Sequence, residues 1–320
     1  MSAASPGERA YDAMRLAVVP WLRERRLRKE KERQERVEAA RFSERVLTAG
    51  IWHSLVLRGE GSVACWGRNN HGQAPPDGLA GDFVAIAAGR EHSLALRPDG
   101  GVACWGPNHE GQAPPDGVEG DFVAIAAGEF HSLALRPAGR IAFWGGNYHG
   151  QAPPDGVDGD FVAIAGGGGH SLALRPDGSV ACWGDNYDGQ APPDGVDGDF
   201  VAIAAGDLHS LALRRDGNIV CWGRNNYGQA PPDGVEGDFV AIAAGGDHSL
   251  ALRSDGSVAC WGWNEYGQAP PDDVAGDFVA IAAGEFYSLA LRRDGNIACW
   301  GLNRFGEAPP DGVAGPFGHQ

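Results

Sequence analysis

Long apolar runs are missing from this chain. No stretch approaches the ~20 apolar residues that a membrane-spanning helix requires. Residues 11–22 come nearest, but they hold Asp12, Arg15 and Pro20 and lack a clean cleavage site, which argues against a secretory leader. Lysine is scarce: Lys29 and Lys31 are the only two, both ahead of residue 42. No phosphate loop, no nucleophile beside a base and no metal-ligand spacing stands out, so no catalytic residue, metal or cofactor is expected. A non-enzymatic chain is the reading, cytoplasmic or nuclear, not secreted and without a membrane partner.

What the chain has in abundance is repetition. Trp66, Trp105, Trp144, Trp183, Trp222, Trp261 and Trp300 recur every 39 residues, each followed by glycine. Within a unit, Phe83–Ala88, Ser93–Leu96 and Val102–Trp105 are short apolar runs bounded by Gly, Pro and Asp, which predicts strands. Arg97-Pro98-Asp99-Gly100 fits a type I turn, so the second and third runs should form a hairpin. Pro114-Pro115 removes two backbone donors and marks an outer, irregular segment. Strands apolar on both faces need cover on both sides, which a closed ring of seven meanders supplies. The expected fold is all-β: a seven-bladed β-propeller with a helical N-terminal extension. The extension is placed at 1–42 and the propeller at 43–320. Its repeats run about 43–81, 82–120, 121–159, 160–198, 199–237, 238–276 and 277–315. Glu44–Gly50 stands where later copies read DFVAIAAG, and the repeat leaves open whether the ring closes in phase or by pairing Val46–Ala49 with the last unit.

The motifs G-x-x-H-S-L-A-L, D-G-x-V-x-x-W-G and N-x-x-G-Q resemble the repeat of the regulator of chromosome condensation family, over about residues 43–315. The short blade is similar to that of a bacterial β-lactamase inhibitory protein built on the same repeat. The resemblance implies a propeller that binds a protein partner through one face. Guanine-nucleotide exchange on a small GTPase, or a chromatin-associated role, is the alternative it implies. The strict 39-residue spacing leaves no room for the inserted wedge that exchange would require.

Net charge is −16, split between +4 over residues 1–42 and −20 beyond them. Such an acidic ring repels phosphate backbones, so the propeller is not expected to bind nucleic acid, whereas a basic protein would be attracted. The chain is expected to be a monomer. Ser5-Pro6-Gly7-Glu8 reads as a helix start, and Met14, Val18, Trp21 and Leu22 as a narrow apolar stripe. From Arg23 to Arg41 the helix is charged on nearly every side and reads as solvated. Six cysteines precede the repeat tryptophan, Phe143 replacing the seventh. Equivalent sites on different blades lie too far apart to bridge, so buried free thiols are expected. The repeating His53, His92, His131, His170, His209 and His248, with Tyr287 in the seventh unit, cannot share a metal and read as inter-strand or inter-blade hydrogen-bonding groups.

In near-identical copies, the positions that differ are free to specialise. The pair before each repeat histidine alternates, with Trp52, Phe130, Leu208 and Phe286 in one set of units and Glu91, Gly169 and Asp247 between them. Large apolar groups rimmed by acids predict a protein-binding face, with Trp52, Glu91, Phe130, Leu208, Asp247 and Phe286 as its contacts and Asp207 and Glu285 on the rim. A second variable window follows each repeat tryptophan and includes Arg68, Tyr148, Tyr187, Tyr227, Trp263, Tyr266 and Phe305.

Overall fold

The computed structural model describes Leu27, Lys31 and residues 34–43, 45–309 and 311–314. The proposed helix start at Ser5 and the Met14–Leu22 stripe lie outside these residues. The described chain forms seven three-stranded antiparallel sheets, each a meander of consecutive strands. Blade 2 is typical. Its inner strand Ala85–Ala88 pairs with Ser93–Leu96, which pairs in turn with Val102–Trp105. The turn between the last two closes as its sequence requires, with Gly100 N donating to Arg97 O at 3.0 Å and Gly100 at φ 89°. The proline-rich outer segment keeps a single bridge to the third strand, Val102↔Val118, in every blade equivalent.

Inner strands pack side by side around an axis, and each meets its neighbour's small residues, which is why they read Ala-Ile-Ala-Ala. The glycine ending the inner strand is a matter of room. A Cβ on Gly89 would lie 2.3 Å from Gly128 O of the next blade and 2.3 Å from the His92 ring. Separate apolar clusters fill the seams between adjacent blades, for instance Leu94, Leu96 and Val102 of blade 2 against Phe122 and Ala134 of blade 3.

The ring closes in phase. Leu47–Ala49 pairs with its own blade, Leu47 opposite Val56, and the blade 7–blade 1 seam is sealed by side chains: Leu47 and Val56 pack with Ala280, Tyr287 and Leu289. Val46, read from sequence as strand, is helical, so the first inner strand is only three residues long.

Residues 34–43 and 45–46 are helical and lie on the ring, which corrects the expectation of a solvated helix. Ala40 is buried with Leu211 and Phe239, Phe42 packs on the blade 7–blade 1 cluster, and the Ser43 hydroxyl accepts from Ile281 N at 3.0 Å. Arg36 donates to Phe239 O and pairs with Asp238, its side chain 13% exposed. Seen from sequence, Arg36, Ala40 and Ser43 are each one small or charged residue among many; only the ring gives them a partner.

A further asymmetry is written in the turns. Blades 5, 6 and 7 carry Arg215, Ser254 and Arg293 where blades 2, 3 and 4 carry Pro98, Pro137 and Pro176. The non-proline residues donate to Asp199 O, Asp238 O and Asp277 O at 2.9–3.0 Å. Proline has no N–H to give. Inner strands accordingly start at Phe200, Phe239 and Phe278 in one half, but at Ala85, Ala124 and Ala163 in the other.

Candidate functional site

The loops after the inner strand and after the third strand emerge on the same face, opposite the helix. A ring of buried polar groups supports them. His53 Nε2 meets Ser93 Oγ of the next blade at 2.9 Å, and the same bond recurs at His92–Ser132, His131–Ser171, His170–Ser210, His209–Ser249 and His248–Ser288. Each of those serine hydroxyls donates to a backbone carbonyl of the blade before it, such as Gln73 O at 3.0 Å from Ser93. The hydroxyl proton is thereby used, so Nε2–H must be the donor and the tautomer is fixed. Burial holds these histidines well below the usual range, His53 at about 4 and His92 at about 3, so they are neutral at physiological pH. Tyr287 closes the circle against Ser54 at 2.9 Å and donates to His53 O at 2.6 Å. The repeat tryptophans stitch the same seams, Trp105 Nε1 donating to Gln73 O and Trp66 Nε1 to Glu307 O.

The loops themselves are held by the N-x-x-G-Q residues. Asn69 Oδ1 accepts from Ala74 N and Gln73 Oε1 from His71 N, both at 2.9 Å. In the last copy buried Glu307 accepts from Arg304 N and Phe305 N. The cysteines are all unbridged, with burial pushing their thiols up to about 12. Four are buried as expected; Cys260 and Cys299 are only half-buried.

Two features occupy the loop face. One is an aromatic ridge. Trp52 lies 5.1 Å from Phe286 across the closing seam and 5.3 Å from Phe305, whose ring lies 5.6 Å from the Arg68 guanidinium. Phe286 continues the contact to Trp263 (5.7 Å) and Tyr266 (6.0 Å), and Trp263 to Tyr227 (5.9 Å). Edge and tilted pairs at these separations form one connected surface over blades 5, 6, 7 and 1. Tyr227, Tyr266 and Phe305 are 52%, 43% and 42% exposed.

The other feature is acidic. Around a small axial mouth of about 80 Å³ stand Glu129, Asp207 and Glu285, with Arg90 the one cation among the described residues that line it. Arg90 pairs with Glu129. Burial, opposed by Arg90, raises Asp207 to about 6, and burial with neighbouring Asp207 raises Glu285 to about 7. Asp247 is also raised by burial and accepts from Gln229 Nε2 at 2.7 Å. Carboxylates raised in this way are stabilised by an arriving cation.

Of the sequence-derived contacts, Trp52 and Phe286 meet in the ridge and Asp247 belongs to the acidic group. Glu91 is tied to Arg68 at 2.8 Å beside the ridge. Phe130 stands apart, 38% exposed, with Arg90 5.7 Å from its ring centre. Leu208 is half-buried and outside the ridge. Trp263, Tyr266 and Phe305 were variable in sequence but carried no sign that they would join the other window's aromatics. That adjacency exists only across blades.

The regulator of chromosome condensation (RCC1) repeat model matches residues 47–73, 83–112, 122–151, 161–190, 200–229, 239–268 and 278–307. Among curated protein sequences none matches significantly. The fold is similar to Prp20p of Saccharomyces cerevisiae, at 20% identity and TM-score 0.65 over 83% of this chain and 84% of that one. It is also similar to the ectodomain of the Arabidopsis thaliana receptor kinase ACR4, at 24% identity and TM-score 0.65 over 84% and 98%. A third similar structure is the Physcomitrella patens receptor kinase CR4 ectodomain, at 25% identity and TM-score 0.65 over 81% and 73%. No helix among the described residues is long and apolar enough to cross a membrane. With seven matched copies on seven blades, the chain belongs to the regulator of chromosome condensation repeat family.

Proposed function

We propose that this chain is a non-enzymatic protein-interaction propeller that binds a basic segment of a partner protein with its loop face. The observation that carries this reading is the connected aromatic ridge beside the axial carboxylates. Exposed aromatics supply the apolar anchors that dominate interface energies, and the acids favour lysine or arginine beside them. Prp20p, whose structure was described with its binding properties to Gsp1p and histones, lends the fold a protein-binding precedent.

The test is an array of lysine- and arginine-rich peptides probed with the full chain. Trp263→Ala or Phe305→Ala should each weaken the captured peptides by about 2 kcal/mol. Equal capture of acidic peptides, or no loss in the double variant, would sink the reading. Exchange on a small GTPase, or a chromatin role, is the second reading, favoured by the same likeness to Prp20p. A nucleotide-release assay with a purified GTPase and a nucleosome-binding assay decide it.

A further inference from the structure

Among the described residues, the face opposite the loops is only half covered. Val201, Val240 and Val279 are the second residues of the inner strands of blades 5–7 and are half-buried. Their counterparts in blades 2–4, Val84, Val123 and Val162, are 40%, 44% and 38% exposed. The local sequence, Asp-Phe-Val-Ala-Ile-Ala, is the same in all six. What differs is the turn residue, proline in blades 2–4, and the helix, which among the described residues crosses only the half formed by blades 5–7 and 1.

The open half is a groove of about 250 Å³ floored by Ile86, Ile125, Ile164, Val123 and Val162 and walled by the flank of the helix. It adjoins a second hollow of about 420 Å³ between Phe42, Leu57 and Val84. Arg41 and Arg45, one helical turn apart, line both and are exposed. Neither makes an ion pair among the described residues. Glu38 lines the second hollow, but the groove itself holds both arginines and no acid among its lining residues, a local reversal of sign in a chain of net charge −16.

The occupied half shows what this surface takes. The chain's own helix sits there on small and apolar residues, Ala40 and Phe42, against the repeats' valines and inner strands. Its seat is a near copy of the open one. We infer that the groove over blades 2–4 is a second helix-docking site, taking an amphipathic helix of a partner protein with a small-residue stripe and an acidic flank. The stripe covers Val84, Val123 and Val162, and the acids pair with Arg41 and Arg45. This is a separate surface from the loop face and stands whether or not that face binds a basic partner.

Labelling of Val123→Cys in the full chain with a maleimide, against the wild-type background, tests the site. The probes are two lactam-stapled helical peptides of about four turns with an identical Ala/Leu stripe, one flanked by glutamates and one by lysines. The thiol should label rapidly in the free chain. The glutamate peptide should slow labelling up to about tenfold and the lysine peptide should not, about an order of magnitude being the most that two exposed charge contacts supply. In R41E/R45E the preference should reverse. Protection without peptide would show the chain covering its own groove. Protection lost on dilution would show a second copy there. Either result, or equal protection by both peptides, overturns the assignment.

Discussion

A single serine does three things at each seam. Ser132 accepts from His92 Nε2 of the preceding blade, donates to Gln112 O at 2.9 Å and sits in a sheet whose neighbours exclude water. Ser132→Ala leaves the His92 Nε2–H buried without a partner and Gln112 O with the Trp144 indole as its remaining donor. It should lower stability by about 1–3 kcal/mol, measured by urea denaturation, while leaving the loop face unchanged. Trp144→Ala removes both a half-buried indole in the blade 2–blade 3 core and its bond to Gln112 O, and should cost about 3–5 kcal/mol. Loop aromatics divide by position. Phe130→Ala should leave the melting temperature nearly unchanged, because its ring packs mainly under one arginine. Trp52→Ala should lower it measurably, since Trp52 spans the closing seam to Phe286 and Phe305, and edge-on aromatic contacts are worth about 1 kcal/mol each. A thermal shift equal for the two variants would contradict the view that Trp52 belongs to the seam as well as the surface.

At the level of the strand, one imino acid decides where pairing stops. Ser254 N donates to Asp238 O, and the inner strand of blade 6 then begins at Phe239, whose carbonyl receives Arg36 from the helix. Ser254→Pro should release that donor, shorten the strand to the form seen in blades 2–4 and loosen the helix. Hydrogen exchange would show it as faster exchange at residues 36–43, and unchanged protection there would count against the coupling. The proline–non-proline division was legible in the sequence, though its consequence needs the ladder to be drawn. Much else was legible for the same local reasons: the period, the hairpin turn at Pro98-Asp99-Gly100, the outer proline segment and the hydrogen-bonding role of the histidines, though not whether it ran between strands or between blades. What was not legible depends on which blade abuts which. Trp52 and Phe286 are 234 residues apart in the chain but touch because the ring closes in phase, and the helix lies on one half of the face opposite the loops, a placement that no local pattern announces.

For the whole molecule, six neutral histidines tie stability to pH. An unfolded histidine titrates near 6.5, whereas His53, His131 and His209 are held at about 4, and His92, His170 and His248 at about 3, by burial. Below pH 6.5 the unfolded chain takes up protons that the folded chain refuses. The stability is therefore fully present above that value and drains away as pH falls toward 4 and 3. Six such groups give a slope of up to about 8 kcal/mol per pH unit. Asp207 and Glu285 run the other way. Raised to about 6 and 7, they bind protons in the folded state first, and so favour folding as pH drops from about 7 to about 4. With Asp247, also raised by burial, they are three against six, and Glu285 and Asp247 are partly open to solvent and screened, so the histidines win. A domain typically holds only about 5–15 kcal/mol in reserve. Acid unfolding should therefore be steep and centred between pH 4 and 6, followed by circular dichroism at fixed salt. Replacing His92 with Gln keeps a donor for Ser132 but removes the proton acceptor, and should make the transition less steep by one proton. A ring that stays folded to pH 3, or a His92→Gln variant with an unchanged slope, would show that the relay is not what makes the fold sensitive to acid.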